Sequence, residues 1–147
     1  MTYPHKKFCG YENDRYYEYK IVVIVSRHSL LHHLMNDLID IDWEQLHQVS
    51  EDDPEFELEL LTMLAEDVKI HIGDLRQAVV DRDAIAIANE AHYIKGSSAN
   101  VGIVSIAALA KQIEQLAREQ LISNTAPLVE QMAIDIGHLE TYLATRT

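Results

Sequence analysis

Six apolar side chains, Leu61, Leu64, Val68, Ile72, Leu75 and Val79, succeed one another at alternating steps of three and four residues. That spacing puts all six on one side of a helix and makes a continuous seam for neighbouring helices. Asp53-Pro54-Glu55 starts it, with a side-chain cap, a proline whose missing N–H costs nothing there, and an acid on the positive helix end. The predicted helix has about 26 residues and a length of ~39 Å. Gly73 lies inside it and permits a bend. Asp81-Arg82-Asp83 breaks the seam and caps the next helix.

The rest of the chain repeats the theme. A second helix is predicted from about Asp83 to Ala99. Its upstream face carries the small residues Ala84, Ala88 and Ala91, and Ala91, Ile94, Ser98 and Val101 form its inward stripe. Gly102 marks the turn out of it. Ile106, Leu109, Ala110, Ile113, Leu116 and Ala117 form a third seam, and Leu128, Met132, Ile136, Leu139 and Leu143 a fourth, after the break at residues 123–127. Before the first long helix, Asp42 caps a short one. Gln45 stands at the capping-box position, and Ile41 and Leu46 are placed as a hydrophobic staple. This short helix should end near Ser50 and lid the bundle, with Trp43 as its anchor. Short links favour antiparallel neighbours, so the expected fold is all-α: an up-down-up-down four-helix bundle with a short N-terminal capping helix over residues 41–147.

Residues 1–40 read as an extension. Five of the seven tyrosines lie in the first 20 residues, among charges and without periodicity, which favours a mobile tail. Ile21-Val22-Val23-Ile24-Val25 reads as a strand, lying either on the bundle or against the same segment of a second copy, a route to a homo-oligomer. Leu30, Leu31, Leu34 and Leu38 give a helical stripe. Met35 is an alternative natural start.

Charge narrows the function. Residues 28–147 carry 7 Lys and Arg against 21 Asp and Glu, and the first 27 carry 5 against 3. A body this acidic repels a phosphate backbone, so nucleic acid is not an expected partner. Cys9 is the lone cysteine, no apolar run is long enough to span a bilayer, and the N-terminus does not read as a signal peptide. The expectation is a cytoplasmic protein without a membrane partner.

Chemistry concentrates in residues 91–102. Lys95 and Gly96 lie three and four residues after His92, so the three share a helix face, away from the inward stripe. A neutral imidazole is a nucleophile at physiological pH. Phosphoryl transfer needs such a nucleophile and positive charge near the equatorial oxygens, which Lys95 can supply. A helix-interior glycine costs roughly 1 kcal/mol against alanine. Gly96 therefore calls for a reason: clearance for a partner approaching His92, or close helix packing. The spacing alone leaves both readings open, as it leaves His92 open to being an ordinary surface residue.

The run His92-x-x-Lys95-Gly96-Ser97-Ser98-x-x-x-Gly102 resembles the signature of the histidine-containing phosphotransfer (HPt) family, the intermediate carriers of multistep phosphorelays. The likeness continues through Leu109-Ala110-x-x-Ile113-Glu114 and covers roughly residues 41–145. It implies a phosphorylated histidine, His92, on a solvent-facing helix. The implied partners are response-regulator receiver domains and an upstream hybrid histidine kinase. Lys95 is then the expected phosphate partner and Gly96 the docking clearance. Ser97 and Ser98 serve the helix and its packing, or bond to the imidazole or phosphate. Glu114 stands where the family has Gln or Glu and is placed to orient the imidazole. Arg118, one turn on, reaches the phosphate, rims the docking face or pairs with Glu114. Ala99 and Ile103 are expected in the docking patch.

No cofactor is expected, and magnesium would belong to the receiver. The chain has no Gly-rich phosphate loop, so it is not expected to phosphorylate itself from ATP. Two rival readings stand beside the carrier: a helical module that binds a receiver without taking phosphate, and a metal-binding bundle built on His28, His32 and His33. No Cys lies near those histidines and no His-Glu-x-x-His motif is present, which argues against the metal. His47, His71 and His138 read as surface or boundary residues.

Overall fold

The computed structural model describes Met35 and residues 37–146. The run 21–25, Cys9, the N-terminal tyrosines, Leu30, Leu31, Leu34 and His28, His32 and His33 lie outside the described residues. Helix α1 spans Trp43–Val49, α2 Pro54–Asp81, α3 Ala84–Val101, α4 Val104–Arg118 and α5 Ala126–Ala144. A 3-10 turn, Ile122–Asn124, precedes α5. Among the described residues no strand forms beyond one isolated bridge. None of their helices is long and apolar enough to cross a membrane.

Local chemistry sets the boundaries. The Asp53 carboxylate accepts from the amides of Glu55 and Phe56 at 2.9 and 3.3 Å, satisfying donors that the first turn of α2 leaves open. The 28-residue helix runs through Gly73 without interruption and stops at Arg82, whose φ of 56° is left-handed. Asp83 then caps α3 by accepting from the Ala86 amide at 2.9 Å. Gly102, with φ 94°, ends α3.

The four long helices pack in a ring, with α3 between α2 and α4, and α5 between α4 and α2. Only Arg82 and Asp83 link α2 to α3, and only Gly102 and Ile103 link α3 to α4, too little chain for anything but a reversal. Leu61, Val68, Leu75, Ile87, Ile94, Ile106, Ile113, Met132 and Leu139 are almost wholly buried. Each contributes roughly 1.5–3 kcal/mol by leaving water.

The seams hold with corrections at their edges. Val79, Leu109, Leu116 and Leu128 are half-buried, and Val129 takes the inward place expected of Leu128. On α3 the upstream core residue is Ile87, seven positions before Ile94, while Ala84 and Ala88 are half-buried. Leu38, expected in the stripe before the bundle, is 51% exposed, and Met35 and Ile39 are buried instead.

The lid is stitched to the turn between α3 and α4. Ile41 and Ile103 form the antiparallel bridge, and the Asp42 amide donates to the Gly102 carbonyl at 2.8 Å. The backbone carbonyl of Asp40, a residue assigned to the extension from the sequence, accepts from the amides of Val104 and Ser105 at 2.9 and 3.3 Å. It thereby caps α4, whose N-cap residue Ile103 has no polar side chain. Asp42 caps α1 through the Gln45 amide as expected. Gln45 does not close a capping box. Its side-chain amide donates to the carbonyls of Ala99 and Asn100 at 2.6 and 3.1 Å, satisfying acceptors that the end of α3 leaves open. Trp43 meets the edge of Tyr142 on α5, with ring centres 6.2 Å apart.

Candidate functional site

Helix α3 is divided lengthwise. Ile87, Ala91, Ile94 and Ser98 are fully buried, which turns His92 and Gly96 outward. The His92 side chain is 65% exposed. A Cβ built on Gly96 meets no neighbouring atom of the described residues within 4 Å. Close helix packing therefore does not explain this glycine.

Glu114 on α4 gathers the polar residues. Its side chain is 9% exposed and takes three partners. Lys95 Nζ donates to Oε2 at 2.6 Å, Arg118 donates to Oε1 at 2.7 Å, and His92 Nδ1 lies 3.1 Å from Oε1. The Lys95 ammonium above all, with Arg118 and His92, holds the Glu114 carboxyl down to about 2 against the opposing effect of desolvation. An ionised carboxylate only accepts, so the proton of neutral His92 sits on Nδ1 and the lone pair on Nε2. Among the described residues no hydrogen bond to Nε2 is formed.

The structure thus brings His92, Lys95, Glu114 and Arg118 into one cluster with Gly96 beside it. Lys95, expected as the phosphate partner, is bonded to Glu114, and Arg118 pairs with the same carboxylate, one of the contacts expected of it. The serines stay apart from the imidazole: Ser97 Oγ donates to the Ile94 carbonyl at 3.2 Å, and Ser98 is buried with its hydroxyl unpartnered. Ala99 is exposed. Ile103 is not in the surface patch expected for it: it is fully buried, because the bridge to Ile41 holds it beneath the lid.

Of the surfaces beside the cluster, sequence reasoning found Ala99 and missed most of the rest. One depression of about 320 Å³, next to Lys95, is lined by Gln45, Ala99, Gly102, Val104, Ala107, Ala108 and Lys111. Another of about 210 Å³, next to Arg118, includes Ala84, Ile85, Ala88 and Asn89. Ile85 is 75% exposed. An exposed apolar residue at a spacing of seven before His92 was the available signal.

The family model described as Hpt domain matches residues 59–144. The chain belongs to the Hpt domain family. The matched span holds α3 and α4, and with them all of the His92 cluster. Solved structures agree with this. Histidine-containing phosphotransfer protein B from Pseudomonas aeruginosa PAO1 is 26% identical with a TM-score of 0.66, over 72% of this chain and 92% of that one. A rice protein described as a putative histidine-containing phosphotransfer protein is 21% identical with a TM-score of 0.69, over 84% of this chain and 91% of that one. The Hpt domain of a sensor hybrid histidine kinase from Shewanella is 17% identical with a TM-score of 0.59, over 71% and 91%. The latter two likenesses are of fold. A search of curated protein sequences finds no relative. As an Hpt domain the chain is a histidine phosphotransfer module, and within it His92 is the outward histidine of α3.

Proposed function

We propose that His92 receives a phosphoryl group from the phospho-aspartate of a receiver domain and passes it to the aspartate of a second receiver. The observation that carries this reading is the Glu114 contact. It commits Nδ1 of an exposed imidazole to an ionised carboxylate and leaves Nε2 facing water.

In the first transfer the Nε2 lone pair attacks phosphorus in line, the bond from phosphorus to the receiver carboxylate breaks, and that carboxylate leaves with the electron pair. The ring gains positive charge while Nδ1 keeps its proton, and Glu114 offsets the charge at 3.1 Å. Lys95 and Arg118 can turn from Glu114 to the phosphoryl oxygens without leaving the cluster. The reverse of this step loads the second receiver, since the carrier contributes a nucleophile and positioning alone. Magnesium belongs to the receiver in both directions. The upstream supplier is a hybrid histidine kinase.

The docking face comprises the depressions on either side of the cluster and the open space over Gly96. Incubation with a phosphorylated receiver should place acid-labile, base-stable phosphate on the chain, while ATP alone should place none. A module that only binds the receiver would remain unlabelled in the first experiment, and that result would refute the carrier reading.

A further inference from the structure

A second imidazole lies on another face of the bundle, between α2 and α3. His71 Nδ1 is 2.5 Å from Glu90 Oε2, and His71 Nε2 is 3.7 Å from Asp67 Oδ1. Asp74, one turn on from His71, completes the group: one ligand atom from each of His71, Asp74 and Glu90 can be chosen with all three within 4.8 Å of one another. The Tyr93 ring covers the imidazole, with centroids 4.1 Å apart. The His71 side chain is 22% exposed.

The charge here is unbalanced. Three carboxylates surround one imidazole, and the neighbouring cations of α2 are committed elsewhere. Lys69 is bonded to Glu140 at 2.7 Å, and Arg76 grips Glu130 with two bonds of 2.8 Å. Among the described residues no lysine or arginine ion pair reaches Asp67, Asp74 or Glu90. A neutral imidazole has one N–H and one lone pair. With a carboxylate at each ring nitrogen, that lone pair faces negative charge unless a cation stands between.

We propose that His71, Asp74 and Glu90 form a binding site for a divalent first-row transition ion. The lone pair of Nδ1 and one oxygen from each carboxylate are the ligands, and Nε2–H is directed to Asp67. Tetrahedral ligands at about 2.1 Å from zinc stand roughly 3.4 Å apart, so the 2.5 Å pair of His71 and Glu90 must open to admit the ion, while all three ligand atoms already lie within 4.8 Å of one another. One nitrogen with carboxylate oxygens suits zinc, cobalt or manganese. Metal-bound histidines characteristically give their other N–H to a carboxylate, and Asp67, 3.7 Å from Nε2 and also bonded by Tyr93, is the carboxylate on that side. The site draws ligands from two helices, so an ion would clamp α2 to α3. It is separate from the His92 cluster and independent of the phosphocarrier reading. It also differs from the His28, His32 and His33 site considered from the sequence.

The test is calorimetric titration of the chelator-stripped full chain with zinc, together with line broadening of its amide resonances by manganese. One equivalent should bind, and broadening should centre on residues 67–74 and 89–93. His71→Ala should weaken this event at least tenfold, and Asp67→Asn about tenfold. Replacing His28, His32 and His33 by alanine should leave it intact. Saturating zinc should raise the melting temperature by about 5 °C in the parent and leave His71→Ala unmoved. Absence of saturable zinc binding, binding retained in His71→Ala, or broadening confined to other residues would each overturn the proposal. Phosphate uptake by His71→Ala reports on the carrier reading separately.

Discussion

Among the described residues two imidazoles are built to one plan: each presents Nδ1 to a glutamate on the next helix. His92 meets Glu114 at 3.1 Å and His71 meets Glu90 at 2.5 Å. Everything around the pairs differs. Glu114 is shared with an ammonium and a guanidinium, and His92 is mostly open to water. Glu90 has neighbouring acids in place of those cations, and His71 is partly covered by a tyrosine ring. The first pair lies among cations and the second among acids. An imidazole–carboxylate pair therefore has no fixed meaning; the sign of the surrounding charge and the freedom of the far nitrogen decide its chemistry.

The sharpest way to break this contrast is to remove each ring in turn. His92→Gln should abolish phosphate uptake from a phosphorylated receiver, with stability within about 0.5 kcal/mol of the parent because the side chain is exposed. His71→Gln should leave uptake unchanged. Equal losses in the two variants would erase the distinction.

Access comes next in size. Gly96→Gln fills the open space beside His92 and should slow transfer at least tenfold, about 1.4 kcal/mol in the barrier, while circular dichroism stays unaltered. Lys95→Ala should slow transfer by roughly threefold to tenfold, about 0.7–1.4 kcal/mol, measured as initial rates at saturating receiver.

The last effect is read in stability against pH and not in transfer rate. Glu114 is held from 4.5 down to about 2 in the folded chain. A depressed carboxyl stabilises the fold above its unfolded value and loses that contribution as pH falls through the folded one. Urea unfolding should therefore show about 1–2 kcal/mol lost between pH 4.5 and 2, reduced from the full shift because Arg118 and His92 face solvent. Glu114→Gln should remove that part of the slope.

Much of this was legible from residue order. The seams, the Asp53 and Asp83 caps, the Gly102 turn and the outward face of His92 all come from spacing along single helices. Contacts between helices were not legible. Nothing in the sequence says that Lys95 spends its charge on Glu114, because the pair is 19 residues apart and on different helices. The same limit explains Gln45: its position suggested a local capping box, but the amide reaches the end of α3. Ile103 looked like a surface residue near His92 until the lid covered it. His71 read as a surface or boundary residue, since its partner Glu90 is 19 residues away on another helix.

The stitching of the lid to the last turn of α3 has a mechanical consequence. Helix ends ordinarily fray, and the amides there exchange readily with solvent. Here Gln45 and the Asp42 amide fasten the end that lies downstream of His92. The imidazole thus stands on a post whose far end is held against fraying.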